Sequence, residues 1–194
     1  MSASQRQGKE NISLRSLRLC GEKVKNLDIQ MKYCPKCGRD LKPAEIDGRT
    51  RLGCSSETCD YVFWDNPTPV VAALVEREGI VVLVRNKEWP QKIYGLVTGF
   101  LEKNETPESG VLREVKEELG LNGQIDDFIG HYSFFEMNQL ILAYHVQVQG
   151  EIVLGEELAE YKMVSPEKLR PWAFGTGYAV KDWLAKRKTR FAQD

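Results

Sequence analysis

The 194-residue sequence has no apolar run of the roughly 18 residues that a membrane span needs, and no apolar stretch after a basic start of the kind that directs export. Both absences point to a cytoplasmic protein that does not engage a membrane. The chain also lacks a surplus of either charge. Its 27 basic residues face 28 acidic ones for a net charge of −1, so it carries no positive field for binding bulk nucleic acid. The expected partner is a small molecule rather than a nucleic-acid polymer, and a homodimer is an admissible assembly. Internal repeats and low-complexity tracts are missing, which excludes solenoids and linker arrays. What remains is an ordinary globular composition, 42% apolar and 28% charged, long enough for one well-cored domain plus a small accessory unit.

Cysteine is scarce as well, and four of the five fall in two knuckles. "CPKCG" supplies Cys34 and Cys37, and "CSSETC" supplies Cys54 and Cys59. Without an export signal, paired cysteines at this spacing read as a tetrahedral thiolate zinc site in preference to disulfides, which a reducing cytosol opposes. Four cysteine ligands leave no open position for water, so the Zn²⁺ is structural. Cys20 is left over as an unpaired thiol with no assigned role.

Three segments follow. Residues 1–31 are polar and mildly basic and are expected to form a peripheral tail, residues 32–65 a zinc ribbon, and residues 66–194 the main domain. "NPTP" at 66–69 reads as a boundary loop, since prolines force extended backbone. "VVAALVE" and "IVVLVR" read as strands joined by a turn around Glu78-Gly79. After "YGLVTGF" comes a helix, then a hairpin of "GQIDDFIGHYSFF" and "QLILAYHVQVQ" turning at Met137-Asn138. "LGEELAEYKMV" is expected to open as a loop, and "GYAVKDWLAKRK" reads as an amphipathic helix with Val180, Trp183 and Leu184 inward.

The helix within "GFLEKNETPESGVLREVKEELGL", residues 99–121, carries the chemistry. Thr106 is a good N-cap, Pro107 suits the first helical position and Gly120 is a natural terminator. Val111, Leu112, Val115 and Leu119 form a core-facing stripe, and Glu114, Glu117 and Glu118 occupy the adjacent arc. Those glutamates work against the helix. They meet the negative end of its dipole, and Glu114 and Glu118 repel at i,i+4, each effect being about 0.3–1 kcal/mol. A local rule broken in this way points to a site, with a plain solvated charged face as the alternative that a more specific pattern has to overturn.

Gly99, then Glu105, Arg113-Glu114, an apolar Val115, Glu117-Glu118, Gly120 and an apolar Leu121 stand at the spacing of the Nudix box. Average composition makes that match a chance event of roughly 10⁻⁷ for one chain of this size. The chain resembles the Nudix hydrolases over about residues 68–190, and the cysteine knuckles before the box narrow the likeness to zinc-ribbon members, which include NADH pyrophosphatases and ADP-ribose and FAD hydrolases. The resemblance implies an α/β fold, an α/β/α sandwich around a mixed sheet. It implies hydrolysis of a nucleoside diphosphate linked to another moiety, with Mg²⁺ or Mn²⁺ held by Glu114, Glu117, Glu118 and the Gly99 carbonyl. Arg113 and Glu105 would orient the cluster.

The general base is expected from "GEELAE", with Glu157 favoured over Glu118 and Glu160, against the plain reading of these acids as solvated loop residues. Arg85, ending a strand, is placed toward the substrate phosphates. "TGF" stands close to the "AGF" of NADH pyrophosphatases, but their Ser-Gln-Pro-Trp-Pro-Phe-Pro tract is replaced by "GHYSFFEMNQL". That departure favours ADP-ribose or FAD as substrate. Phe134 or Phe135 is expected to stack on the base, with a core role for these rings as the alternative. NADH or NAD hydrolysis, including NAD-capped RNA, and a non-catalytic nucleotide-sensing module are the competing functional readings.

Overall fold

The computed structural model describes residues 31–191, which divide into two units at Pro67-Thr68. The tail expected over residues 1–31 lies, apart from Met31, outside the described residues, as does Cys20. In the smaller unit β1 (Leu41–Ile46), β2 (Arg49–Cys54) and β3 (Val62–Phe63) form an antiparallel sheet in the order β1-β2-β3. Asp47 and Gly48 turn the first hairpin with φ of 52° and 71°. Two positive φ values in succession match the right-handed twist of the flanking strands.

The larger unit holds β4 (Thr68–Arg77), β5 (Ile80–Asn86), β6 (Val97–Phe100), α1 (Pro107–Leu119), β7 (Gly123–Phe134), β8 (Gln139–Val148), β9 (Leu158–Val164) and α2 (Gly177–Phe191). Its six-stranded sheet runs β7-β8-β4-β5-β9 with β6 also on β4. The β4/β8 pairing is parallel and the others antiparallel, so the sheet is mixed. β4 pairs β6 through Val70–Ala73 and β5 through Val75–Arg77, while Val84 bridges Gly95. The chain entering β6 is thereby inserted between two strands that diverge.

An unbroken apolar run makes β4 a strand buried on both faces. Val70, Ala72 and Leu74 join Ala179, Val180 and Trp183 under α2, whereas Val71, Ala73 and Val75 join Val111, Val115 and Leu119 under α1. Each of the valine and leucine side chains, fully buried, contributes about 1.5–3 kcal/mol of transfer free energy. The result is the expected helix/sheet/helix sandwich.

Two boundaries differ from the sequence reading. β4 already includes Pro69, because pairing with β8 starts at Thr68↔Gln139 and the Pro69 carbonyl accepts from the Leu101 amide at 3.2 Å. β9 starts at Leu158, inside the expected loop; that side chain is buried in the α1-side core and its backbone pairs with Asn86.

Candidate active site

Helix α1 is set by its caps. Thr106 Oγ1 accepts from the Ser109 amide at 3.2 Å, Ser109 Oγ accepts from the Thr106 amide at 3.0 Å, and Gly120 closes the helix at φ 68°. With the ends fixed and Val111, Val115 and Leu119 under the sheet, the glutamates are carried to the edge of β6. Glu114 is itself buried, and a Cβ added at Gly99 would overlap its carboxylate. Gly99 is therefore the space that Glu114 occupies.

Arg113 commits every guanidinium nitrogen to this region. It grips Glu105 through Nε at 3.1 Å and Nη2 at 2.8 Å, reaches Glu114 at 2.7 Å and Glu117 at 3.1 Å through Nη1, and donates to the Phe100 carbonyl at 3.1 Å. This fork to Glu105 is the bidentate, charge-assisted kind that fixes orientation as well as position. The Arg113 hydrogen bonds hold the Glu105 carboxyl below its ordinary range.

Glu118 has no such relief. The Thr98 backbone hydrogen-bonds its carboxylate, but Oε2 is enclosed without a partner. Burial first, then the charges of Glu114, Glu157 and Glu117, push this carboxyl well above its ordinary value. The three carboxylates do not gather as closely as the cysteine sulfurs do: Arg113 draws Glu114 and Glu117 to itself while Glu118 turns toward Thr98. An enclosed, unpartnered carboxylate oxygen beside two further carboxylates suits a hard divalent cation.

The loop after β8 is fastened to the end of α1. Val153 donates to the Leu119 carbonyl at 3.0 Å and Gly155 to the Glu118 carbonyl at 2.9 Å; a Cβ at Gly155 would overlap the Glu117 carbonyl. This brings Glu157 to the wall of a small cavity that it shares with Glu118, Gly99, Thr98, Asn86 and Trp89. Glu160 lies on β9 instead, accepting from Arg85 Nε at 2.7 Å and Tyr94 Oη at 2.9 Å. Arg85, expected at the phosphates, is thus engaged by Glu160 and lines neither this cavity nor the larger one beside it.

The larger cavity, about 280 Å³, is walled by Trp89, Tyr94, Phe134, Trp172 and Phe174 with Gln139 among them. It shares Trp89, Leu96 and Thr98 with the small one, so the two adjoin. Phe134 stacks with Phe174 at 6.4 Å between centroids, whereas Phe135 is 86% exposed and lines neither cavity. Tyr132 donates to Asp182 at 2.9 Å and packs on the α2-side core. Trp89, Tyr94, Trp172, Phe174 and Gln139 were not singled out from sequence; a visible signal was the aromatic residue placed in a connecting loop.

In the smaller unit the Sγ atoms of Cys34, Cys37, Cys54 and Cys59 lie within 4.8 Å of one another, all as free thiols. The Ser56 amide points at Cys54 Sγ at 3.5 Å. Four converging sulfurs with an amide donor fit a closed tetrahedral zinc site.

A NUDIX domain model matches residues 66–184. The chain belongs to the Nudix family. Curated relatives include the NAD-capped RNA hydrolases NudC of Pseudomonas fluorescens, 25% identical over 126 residues (65% of this chain, 44% of that one), and of Pseudomonas aeruginosa, 29% identical over 142 residues (72% and 50%). The chain spans about half the length of these relatives. Among solved structures, a NUDIX hydrolase from Nitrosomonas europaea matches with TM-score 0.71 at 25% identity, covering 82% of this chain and 93% of that one. An ADP-ribose pyrophosphatase from Streptococcus suis shares the fold, with TM-score 0.53 at 18% identity over 63% and 93%. No helix among the described residues of this Nudix chain is long and apolar enough to cross a membrane.

Proposed function

We propose that this Nudix pyrophosphohydrolase cleaves the diphosphate of an adenosine diphosphate joined to a second moiety, with ADP-ribose or FAD preferred, releasing AMP. The observation that carries the reading is Glu118: its Oε2 is enclosed and unpartnered, beside Glu157 in a cavity that adjoins an aromatic-walled one. Glu114, Glu117 and Glu118, with the Gly99 carbonyl, would hold Mg²⁺ or Mn²⁺, and Cys34, Cys37, Cys54 and Cys59 would hold structural Zn²⁺ in a reducing compartment. When bound, the hard cation supplies Lewis-acid neutralisation of the diphosphate oxygens and a lowered pKa for attacking water.

The protein's own residues do the rest. Glu157 takes the proton from a water that attacks one phosphorus; the bridging P–O bond breaks and its electrons leave with the other phosphate. Arg113 fixes Glu114 and Glu117, and with Glu105 it is a positioning pair rather than a reacting one. Phe134 lines the cavity that would take the base.

The names of the NudC relatives favour a second reading, hydrolysis of NAD-capped RNA, and NADH or NAD is tested with it. One panel decides between them: ADP-ribose, FAD, NADH, NAD and an NAD-capped oligonucleotide with Mg²⁺ or Mn²⁺, scored for AMP or capped-end release. We expect kcat/KM highest for ADP-ribose or FAD. A tenfold preference for NADH, about 1.4 kcal/mol in transition-state binding, reverses the ranking. No turnover of any member would leave only a nucleotide-sensing module.

A further inference from the structure

The larger cavity has features of its own that the diphosphate chemistry does not use. Of the residues lining it, only Lys92 carries a charge, and the walls are aromatic or aliphatic. Such a slot takes a neutral flat ring in preference to a phosphate. At about 280 Å³ it stands at the small end of ligand sites, which run from about 300 to 1,000 Å³, so it holds one ring system and not a whole dinucleotide. Trp89, Leu96 and Thr98 also line the small cavity with Glu118 and Glu157, so a ring seated here lies next to the carboxylates that the proposed reaction uses.

Gln139 breaks the apolar pattern of that slot. It begins β8, where alternate residues Ile141 and Ala143 belong to the α2-side core, and it sits opposite Phe134 across the β7/β8 ladder and opposite Thr68 across β4/β8. It is only 4% exposed and lines the cavity. An amide at a core-facing strand position gives the apolar slot a directional polar group, the kind that fixes a ligand's orientation. Of the hydroxyl residues on the same cavity, Thr98 and Thr176 can each donate or accept and so distinguish little, and the Tyr94 hydroxyl is given to Glu160. A primary amide presents an acceptor beside a donor at fixed spacing. That pair is complementary to the six-amino group of adenine and its neighbouring ring nitrogen.

Building on the diphosphate-hydrolase reading, we infer that Gln139 is the specificity-determining residue of this site and selects substrates whose ring is adenine, gripped between the cavity's aromatic side chains. The six-amino group donates to the Gln139 carbonyl oxygen, and the ring nitrogen accepts from its amide nitrogen.

The test pairs ADP-ribose with an analogue whose purine carries hydrogen in place of the six-amino group. Both are assayed on the full chain with Mg²⁺, for the wild type and for Gln139→Leu and Gln139→Met, with melting temperatures recorded. The wild type is expected to favour ADP-ribose at least tenfold in kcat/KM. Either variant should bring the two substrates within about twofold while the analogue's own kcat/KM stays near the wild-type value. A variant that loses both substrates equally, or a wild type that treats them alike, overturns the inference; the wild-type comparison decides even if both variants fold poorly. Turnover without base selectivity refutes this inference alone, whereas no turnover of any adenine dinucleotide takes the hydrolase reading down with it.

Discussion

Replacing Glu118 by Gln separates what helix α1 needs from what the site needs. In the metal-free protein the Glu118 carboxylate sits in the last turn, where the helix dipole opposes it by about 0.3–1 kcal/mol. It also faces Glu114 at i,i+4, a further repulsion of about 0.2–0.5 kcal/mol. Gln keeps the shape and removes the charge, but it weakens the hydrogen bond from the Thr98 backbone and brings an NH₂ group that needs a partner. The gains total about 0.5–1.5 kcal/mol before these losses, so the net expectation is a stabilisation below about 1 kcal/mol, at most about 2–4 °C in melting temperature for a domain this size. The pH dependence has a definite sign. The folded-state pKa of Glu118 is raised above the ordinary 4.5, so between those two values the folded chain holds a proton that the unfolded chain has released. This group's destabilisation is therefore full above the folded pKa and is relieved as pH falls through it toward 4.5. Thermal melts in chelator, from neutral pH downward, should show the gap between variant and wild type closing with acid. Turnover with Mg²⁺ should fall by orders of magnitude in the same variant, since a charge proposed to hold the metal is gone. A Glu118→Gln protein that melts lower than wild type in chelator, at every pH, and still turns over normally would refute both roles: the carboxylate would neither oppose the helix nor serve the reaction.

Further outcomes follow from the same geometry. Gly99→Ala places a methyl group in the Glu114 carboxylate and should cost about 1–3 kcal/mol in stability, with turnover reduced at least a hundredfold; melting and kinetics together check it. Glu157→Gln should lower kcat by about 10²–10⁴ with little change in KM, whereas Glu160→Gln should leave kcat within a few-fold because that carboxylate is engaged by Arg85 and Tyr94. Metal analysis should give about one zinc per chain, lost with cooperative folding of residues 31–67 in Cys54→Ser; a zinc-free protein with an intact small unit would contradict it.

The parts of the fold legible in the sequence are those where local chemistry and burial agree. The caps of α1, the positive-φ turn at Glu78-Gly79 and the doubly buried β4 are each dictated by a few neighbouring residues. The box glutamates draw notice because three acids against a helix dipole are a local anomaly, and the spacing of the whole box makes them candidates. Contacts made across the sheet were not legible in that way. The strand expected to end at Arg85 instead runs on to Asn86, and the β5/β9 register sets Arg85 against Glu160; no local pattern announces that pairing. Phe134 and Phe135 are adjacent in sequence, but β7 ends between them: one ring lines a cavity and the other, in a single 3₁₀ turn, faces solvent. Trp89, Trp172 and Gln139 come together only through tertiary structure.

The end of α1 shows why loop and helix must be considered as one device. A helix leaves its last carbonyls without intrahelical donors, and those carbonyls are the negative end that the glutamates should avoid. Here the Gly120, Val153 and Gly155 amides donate to the Lys116, Leu119 and Glu118 carbonyls at 2.9, 3.0 and 2.9 Å. These bonds satisfy the helix end, and in doing so they fix the segment that leads to Glu157. The close approach is open only because Gly155 lacks a Cβ, as the seat of Glu114 is open only because Gly99 lacks one. Both sides of the small cavity therefore depend on a missing side chain at the point where backbone meets the acidic end of α1, and the acid at 157 is held in place by the same groups that oppose the acid at 118.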